Sequence, residues 1–108
     1  MAREVDLETF AGAWTAGAVV LDVREPEEYR VGHVPGARLA PMSTLAAALP
    51  HVPEGRTVYV ICASGNRSQW AADRLAAVGM DAVSVAGGTR GWVDAGRPVV
   101  TGSAPGAV

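Results

Sequence analysis

The apolar positions of this chain fall into two kinds of run. Residues 18–23 (Ala-Val-Val-Leu-Asp-Val), 57–61 (Thr-Val-Tyr-Val-Ile) and 82–86 (Ala-Val-Ser-Val-Ala) are short and almost continuously apolar or β-branched. Such runs predict strands buried on both faces, as in a parallel sheet covered by helices. Other segments carry helical signals. Asp6 is a good N-cap for a helix with apolar residues at 7, 10, 11 and 14 that Gly17 closes. Pro26 among acidic residues predicts a brief helical turn over 24–30. Ser43 is placed to cap a helix over 44–49, and a longer helix is expected over 68–78 with Gly79 as its C-cap. In that longer helix Trp70, Ala71, Leu75 and Val78 form a core-facing stripe. Gly87-Gly88 leads into a short helix over 89–94. The breakers at 32–36 make a loop, residues 37–40 a short strand, and 97–100 an edge strand or extended chain. Strands alternating with helices over short connections predict an α/β fold, a parallel sheet with helices on both faces. Residues 1–100 are expected as one domain, and the small, Gly- and Pro-containing 101–108 as a flexible C-terminal tail.

At 108 residues the chain holds one core, and 49% hydrophobic with 19% charged residues is a globular composition. Its formal net charge is −2, and all nine cationic side chains are arginines scattered from Arg3 to Arg97. That distribution excludes the basic stripe of a nucleic-acid or anionic-membrane binder. No apolar run reaches the roughly 20 residues of a bilayer span, and the first residues lack the apolar segment of a secretion signal. A single cysteine forms no internal disulfide, so a reducing compartment, most simply the cytoplasm, is expected. Two distant histidines (His33 and His51) and one cysteine have no metal-ligand spacing, and no cofactor motif is present; Gly87-Gly88 lacks the spacing and lysine of a P-loop.

The one cysteine, Cys62, stands where the strand 57–61 gives way to Ala63-Ser64-Gly65-Asn66-Arg67-Ser68. In open α/β sheets ligands bind where loops leave the carboxyl ends of the strands. A loop of small residues with a glycine lets successive backbone N–H groups turn toward one anion, the following helix N-terminus favours negative charge, and Arg67 adds a permanent cation. All three favour thiolate over thiol, and cysteines so placed fall from about 8.5 to roughly 3.5–7.5 in pKa. A lone cysteine is otherwise most often a small buried hydrophobe, but a structural cysteine needs neither the polar loop nor Arg67. The expected site is Cys62 as nucleophile, with Ala63, Ser64, Gly65, Asn66, Arg67 and Ser68 as its anion cradle and Arg67 as the best candidate for a substrate anion contact. Asp22 and Arg24, at the end of a neighbouring strand, are expected to order the catalytic loop, with a plain structural ion pair as the competing reading. His33, among Gly32, Val34, Pro35 and Gly36, is expected to fix its loop by a hydrogen bond. His51 is expected at the surface, and Trp92 in the core or at its rim.

Three motifs together resemble the rhodanese-like domain family of sulfurtransferases. They are the loop from Cys62 to Ser68, the stretch Leu21-Asp22-Val23-Arg24-Glu25-Pro26-Glu27-Glu28-Tyr29 running on to Gly32-His33-Val34-Pro35-Gly36-Ala37, and Gly87-Gly88-Thr89-Arg90-Gly91-Trp92 ending in Gly96-Arg97-Pro98-Val99. The resemblance implies a rhodanese-like fold and ping-pong sulfur transfer. Cys62 takes the outer sulfur of a donor as a persulfide and passes it to cyanide or a thiol, with no cofactor. The implied partners are a small-molecule or protein-bound sulfur donor and a thiol acceptor. Phosphatases of related fold place one more residue between cysteine and arginine than the four here, so the shorter loop resembles the sulfur-sized cradle. Some thiosulfate-using relatives carry a cation directly after the cysteine, where this chain has Ala63, or further cations near the loop, which widens the donor class to protein persulfides, glutathione persulfide and other thiol-borne sulfur. The alternative function is a partner-dependent sulfur-carrier or regulatory module without independent turnover; the sequence specifies no oligomeric state.

Overall fold

The computed structural model describes residues 2–48, 52, 53 and 55–107. Eleven elements follow one another among them: β1 (Arg3–Val5), α1 (Leu7–Thr15), β2 (Val19–Asp22), α2 (Pro26–Val31), β3 (Arg38–Leu39), a 3-10 turn (Met42–Thr44), α3 (Leu45–Ala48), β4 (Val58–Ile61), α4 (Asn66–Ala77), β5 (Ala82–Val85) and α5 (Gly88–Asp94). The five strands form one parallel sheet in the order β1-β5-β4-β2-β3. This is the α/β architecture expected from the alternation of apolar runs and helical segments.

The side-chain period of two along the central strands sorts the core into two layers. Val19, Leu21 and Val23 with Val58, Val60 and Cys62 face one way and pack with Leu45 of α3 and Ala71, Ala72 and Leu75 of α4. Val20, Ile61 and Val85 face the other way and pack with Phe10 and Ala11 of α1 and Trp92 of α5. Helices therefore cover both faces, and β2, β4 and β5 show no solvent-facing alternation because no face of the sheet is wet. Trp92 is fully buried, its ring edge-on to Trp14 and Phe10.

Register fixes the site. Asp22 lies opposite Ile61 across β2 and β4, and Val60 opposite Ser84 across β4 and β5. The chain segments leaving β2, β4 and β5 therefore emerge together at one edge of the sheet, and Val23 N–H donates to the Ile61 carbonyl there at 3.0 Å.

Several local expectations are corrected. β1 was not foreseen. Asp6 does cap α1, accepting from Thr9 N–H at 2.8 Å. Ser43, expected as an N-cap, lies inside the 3-10 turn, and the helix proper begins at Leu45. The expected end of that helix at 49, and His51, lie outside the described residues. α4 begins at Asn66, two residues earlier than expected, so Asn66, Arg67 and Ser68 are its first turn rather than loop. Its buried face is Ser68, Ala71, Ala72 and Leu75, while Trp70 and Val78 are 45% and 64% exposed. Trp70 instead lies under the Arg74 guanidinium, 4.4 Å from its ring centre.

The region around α2 is knit by polar contacts. His33 is fully buried, stacked on Tyr29, with Nδ1 2.8 Å from the Tyr29 carbonyl and Nε2 3.0 Å from that of Ala104. The stretch beyond residue 100 also hydrogen-bonds back through Gly102 N–H to the Arg30 carbonyl, and its Pro105 carbonyl accepts from Gly36 N–H.

Candidate active site

The buried sheet strand β4 ends at Ile61, and the next side chain in its alternation, Cys62, points toward the α4 layer and is 1% exposed. The backbone then turns through Ala63, Ser64 and Gly65 into α4. Gly65 is the N-cap, at φ +111°, a conformation open to glycine and strained for other residues. That turn aims Gly65 N–H at the Cys62 sulfur, 3.1 Å away. The Ser68 hydroxyl lies 3.5 Å from the same sulfur, accepts from Ser84 or donates to it at 2.8 Å, and is 3.1 Å from the Gly65 carbonyl. Ser68 and Ser84 are both fully buried.

Burial alone would push the Cys62 thiol up. Hydrogen bonds from the Ser68 hydroxyl and from the backbone N–H groups of Ser68, Gly65 and Ser64 outweigh it and hold the pKa below the ordinary thiol value. Gly65 is the N-cap and Ser68 lies in the first turn of the twelve-residue α4, so the helix dipole acts in the same direction. When Cys62 ionises, the Ser68 proton can turn to the sulfur while Ser84 donates to the Ser68 oxygen beneath it.

The loop is clamped from behind by the start of α5. Thr89 N–H donates to the Cys62 carbonyl at 2.8 Å and Arg90 N–H to the Ala63 carbonyl at 3.0 Å. This approach requires Gly88: it has φ +59°, and a Cβ there would lie 2.5 Å from the Cys62 carbonyl oxygen.

Two arginines converge on the same edge, and both have carboxylate partners. Arg67 meets Glu28 of α2 through two parallel bonds of 2.7 and 2.8 Å. The hydrogen bond from Arg67 holds the Glu28 carboxyl at a pKa of about 2, and Glu28 in turn raises that of Arg67. Arg24 is buried against Asp22, Nη2 to Oδ2 at 2.8 Å and Nε to Oδ1 at 3.0 Å, and also donates from Nη2 to the Gly32 carbonyl at 2.8 Å. Among the described residues no group of His, Cys, Asp and Glu is arranged to hold a metal, and no helix is long and apolar enough to cross a membrane.

The sequence model of the rhodanese-like domain matches residues 7–95. The chain belongs to the rhodanese-like domain family. Among similar proteins, a sulfurtransferase of Allochromatium vinosum is 32% identical over 103 residues, spanning 93% of this chain and 96% of that protein. YrkF of Bacillus subtilis, assigned provisionally as a sulfur carrier protein, is 38% identical over 74 residues, which cover 68% of this chain but only 40% of YrkF. The crystal structure of a rhodanese-related protein from Thermoplasma volcanium superposes with a TM-score of 0.84 at 35% identity, covering 91% of this chain and 97% of that one.

In this rhodanese-like domain the structure brings together Cys62, Gly65 and Ser68, and places Ala63 between Cys62 and the α5 clamp. Ser64 and Asn66 are exposed on the outer side of the turn. Asp22 and Arg24 pair as expected, yet Arg24 bonds to the carbonyls of Glu28 and Gly32 and makes no hydrogen bond to the loop itself. Their connection to the loop runs through α2, whose Glu28 holds Arg67. Ser84 was missed by the sequence reading. Its signal was present, since it is the one polar residue inside an otherwise apolar, fully buried strand.

Proposed function

We propose that this domain is a sulfurtransferase in which Cys62 carries the transferred sulfur as a persulfide. The observation that carries the reading is the cradle itself: a buried sulfur whose neighbours are hydrogen-bond donors at the start of a helix, with a pKa held down against burial. The Cys62 thiolate attacks the outer sulfur of thiosulfate or of an organic persulfide. The donor's S–S bond breaks as the Cys62–S bond forms, and sulfite or a thiolate leaves with the bonding pair. Cyanide or a thiolate then attacks the outer sulfur of the Cys62 persulfide and restores the thiolate. The N–H groups of Ser64, Gly65 and Ser68 supply fixed dipoles for the negative charge that passes along this line of sulfurs. Arg67, committed to Glu28, adds cationic charge beside the loop and ties α4 to α2.

A second reading, a sulfur carrier that turns over only with a partner, draws support from the likeness to YrkF and from the depth of Cys62. Thiocyanate production from thiosulfate or glutathione persulfide with cyanide, in the absence of other proteins, separates the two. The sulfurtransferase reading expects turnover that Cys62→Ser abolishes without loss of fold by circular dichroism. A folded wild-type protein that takes up sulfur but turns over only when a partner is added would favour the carrier.

A further inference from the structure

Strand β5 reads Ala-Val-Ser-Val and is buried throughout. Its backbone pairs Ser84 with Glu4 of β1 and Val60 of β4, so the sheet makes no use of the Ser84 hydroxyl. A hydroxyl carried into an apolar layer costs free energy unless it is bonded. Among the described residues this one has a single partner, the Ser68 hydroxyl of α4 at 2.8 Å. Ser68 in turn stands 3.5 Å from the Cys62 sulfur and 3.1 Å from the Gly65 carbonyl. Each hydroxyl has one proton to give and two acceptor sites. While Cys62 is a thiol, its S–H faces the Ser68 oxygen and Ser68 donates to the Gly65 carbonyl. A thiolate only accepts, so the Ser68 proton turns to the sulfur. The Ser84 proton then goes to the Ser68 oxygen, which polarises the Ser68 O–H and strengthens its bond to sulfur. Burial opposes the thiolate, and the Ser68 hydroxyl is the foremost of the donors that overcome it.

We propose that Ser84 is a positioning residue for the second half-reaction: acting through Ser68, it makes Cys62 a better leaving group when an acceptor removes the outer sulfur. This deepens the sulfurtransferase reading and rests on it. In the persulfide, Cys62 Sγ is bonded to the outer sulfur, and the negative charge sits on that outer atom. Cyanide forms a bond to the outer sulfur, the S–S bond breaks, and the bonding pair returns to Sγ. Cys62–S–S⁻ and CN⁻ thus give Cys62–S⁻ and SCN⁻, with no proton or oxidant required. The returning charge arrives on the atom that the Gly65 N–H and the Ser68 hydroxyl face at 3.1 and 3.5 Å. In the loading step the same donors have opposed effects, raising the thiolate fraction and lowering its nucleophilicity. A less basic thiolate leaves faster and attacks more slowly, so the buried pair of serines favours release of sulfur over its capture.

Single-turnover kinetics separate the two steps. Loading of Cys62 by glutathione persulfide or thiosulfate, and discharge of the loaded protein by cyanide, are each followed at a pH above the alkylation midpoint of every variant. For Ser84→Ala the expected result is discharge slowed about threefold, the scale of one modest hydrogen bond, with loading changed by less than about twofold. Ser84→Thr keeps the hydroxyl and is expected to discharge within about twofold of the wild type. In a Ser68→Ala background, where the link to sulfur is cut, Ser84→Ala should have no further effect on discharge. Unchanged discharge, equal slowing of both steps, or an undiminished effect in the Ser68→Ala background would overturn the proposal. A wild type that takes sulfur from neither donor would sink the sulfurtransferase reading instead. The action of Ser84 on the sulfur is then read from the pH dependence of iodoacetamide alkylation, whose midpoint should rise in Ser84→Ala; an unchanged midpoint would refute that action as well.

Discussion

At the scale of single residues, Cys62 shows how a sulfur can be both buried and reactive. Burial opposes the charge, and four hydrogen-bond donations from Ser64, Gly65 and Ser68 overcome that opposition. The thiolate should therefore persist below the ordinary thiol range of about 8.5. The rate of iodoacetamide alkylation followed against pH is expected to titrate below that value. In Ser68→Ala, which removes the side-chain donor but keeps the backbone ones, the midpoint should move up; an unchanged midpoint would mean that the hydroxyl does not act on the sulfur. The meeting of Cys62 and Gly65 in one turn was legible in sequence, because small residues and a glycine at a strand end have few other uses. Arg67, expected as a substrate anion contact, is instead held by Glu28. The dependence of Ser68 on Ser84 was not legible, since it arises from the packing of α4 on β5 and joins two residues sixteen apart in the chain.

At the scale of elements, three helices serve one loop. α4 supplies donors, α5 clamps the loop carbonyls, and α2 holds Arg67 through Glu28. The last contact has a pH signature. Glu28 has its pKa depressed to about 2, so the pair's contribution to stability is complete above the usual glutamate range. It is lost as pH falls through that range toward about 2. The pair is partly exposed, so its effect is modest. Stability measured by urea unfolding is expected to fall less steeply between pH 5 and 2 in Glu28→Gln than in the wild type, and identical slopes would refute the linkage. The strands β2, β4 and β5 were legible because strands buried on both faces have little choice of residue. β1 was not, because Arg3 and Glu4 are two of the three residues of an edge strand that joins the sheet through its backbone against β5. In α4 the large apolar side chains drew the stripe to Trp70 and Val78. The helix instead packs closely on β4 and β5 through Ser68, Ala71, Ala72 and Leu75, leaving Trp70 outside.

At the scale of the whole molecule, the parallel register makes one edge of the sheet the working edge, and the buried Asp22–Arg24 pair joins that edge to α2. Removing one partner of such a pair strands the other charge, so Asp22→Ala is expected to cost about 3–5 kcal/mol in chemical denaturation. A loss within about 0.5 kcal/mol would show the pair to be dispensable. The fold class was readable from three apolar runs and the helices between them, whereas the hold of Glu28 on Arg67 depends on how α2 and α4, distant in sequence, meet. The central claim is that Cys62 itself carries sulfur. Intact-protein mass spectrometry after mixing with thiosulfate or glutathione persulfide, and again after adding cyanide, tests it most directly. The expected result is a gain of one sulfur atom, absent in Cys62→Ser and removed by cyanide. A folded protein with a titratable thiol that gains no sulfur from either donor would contradict it.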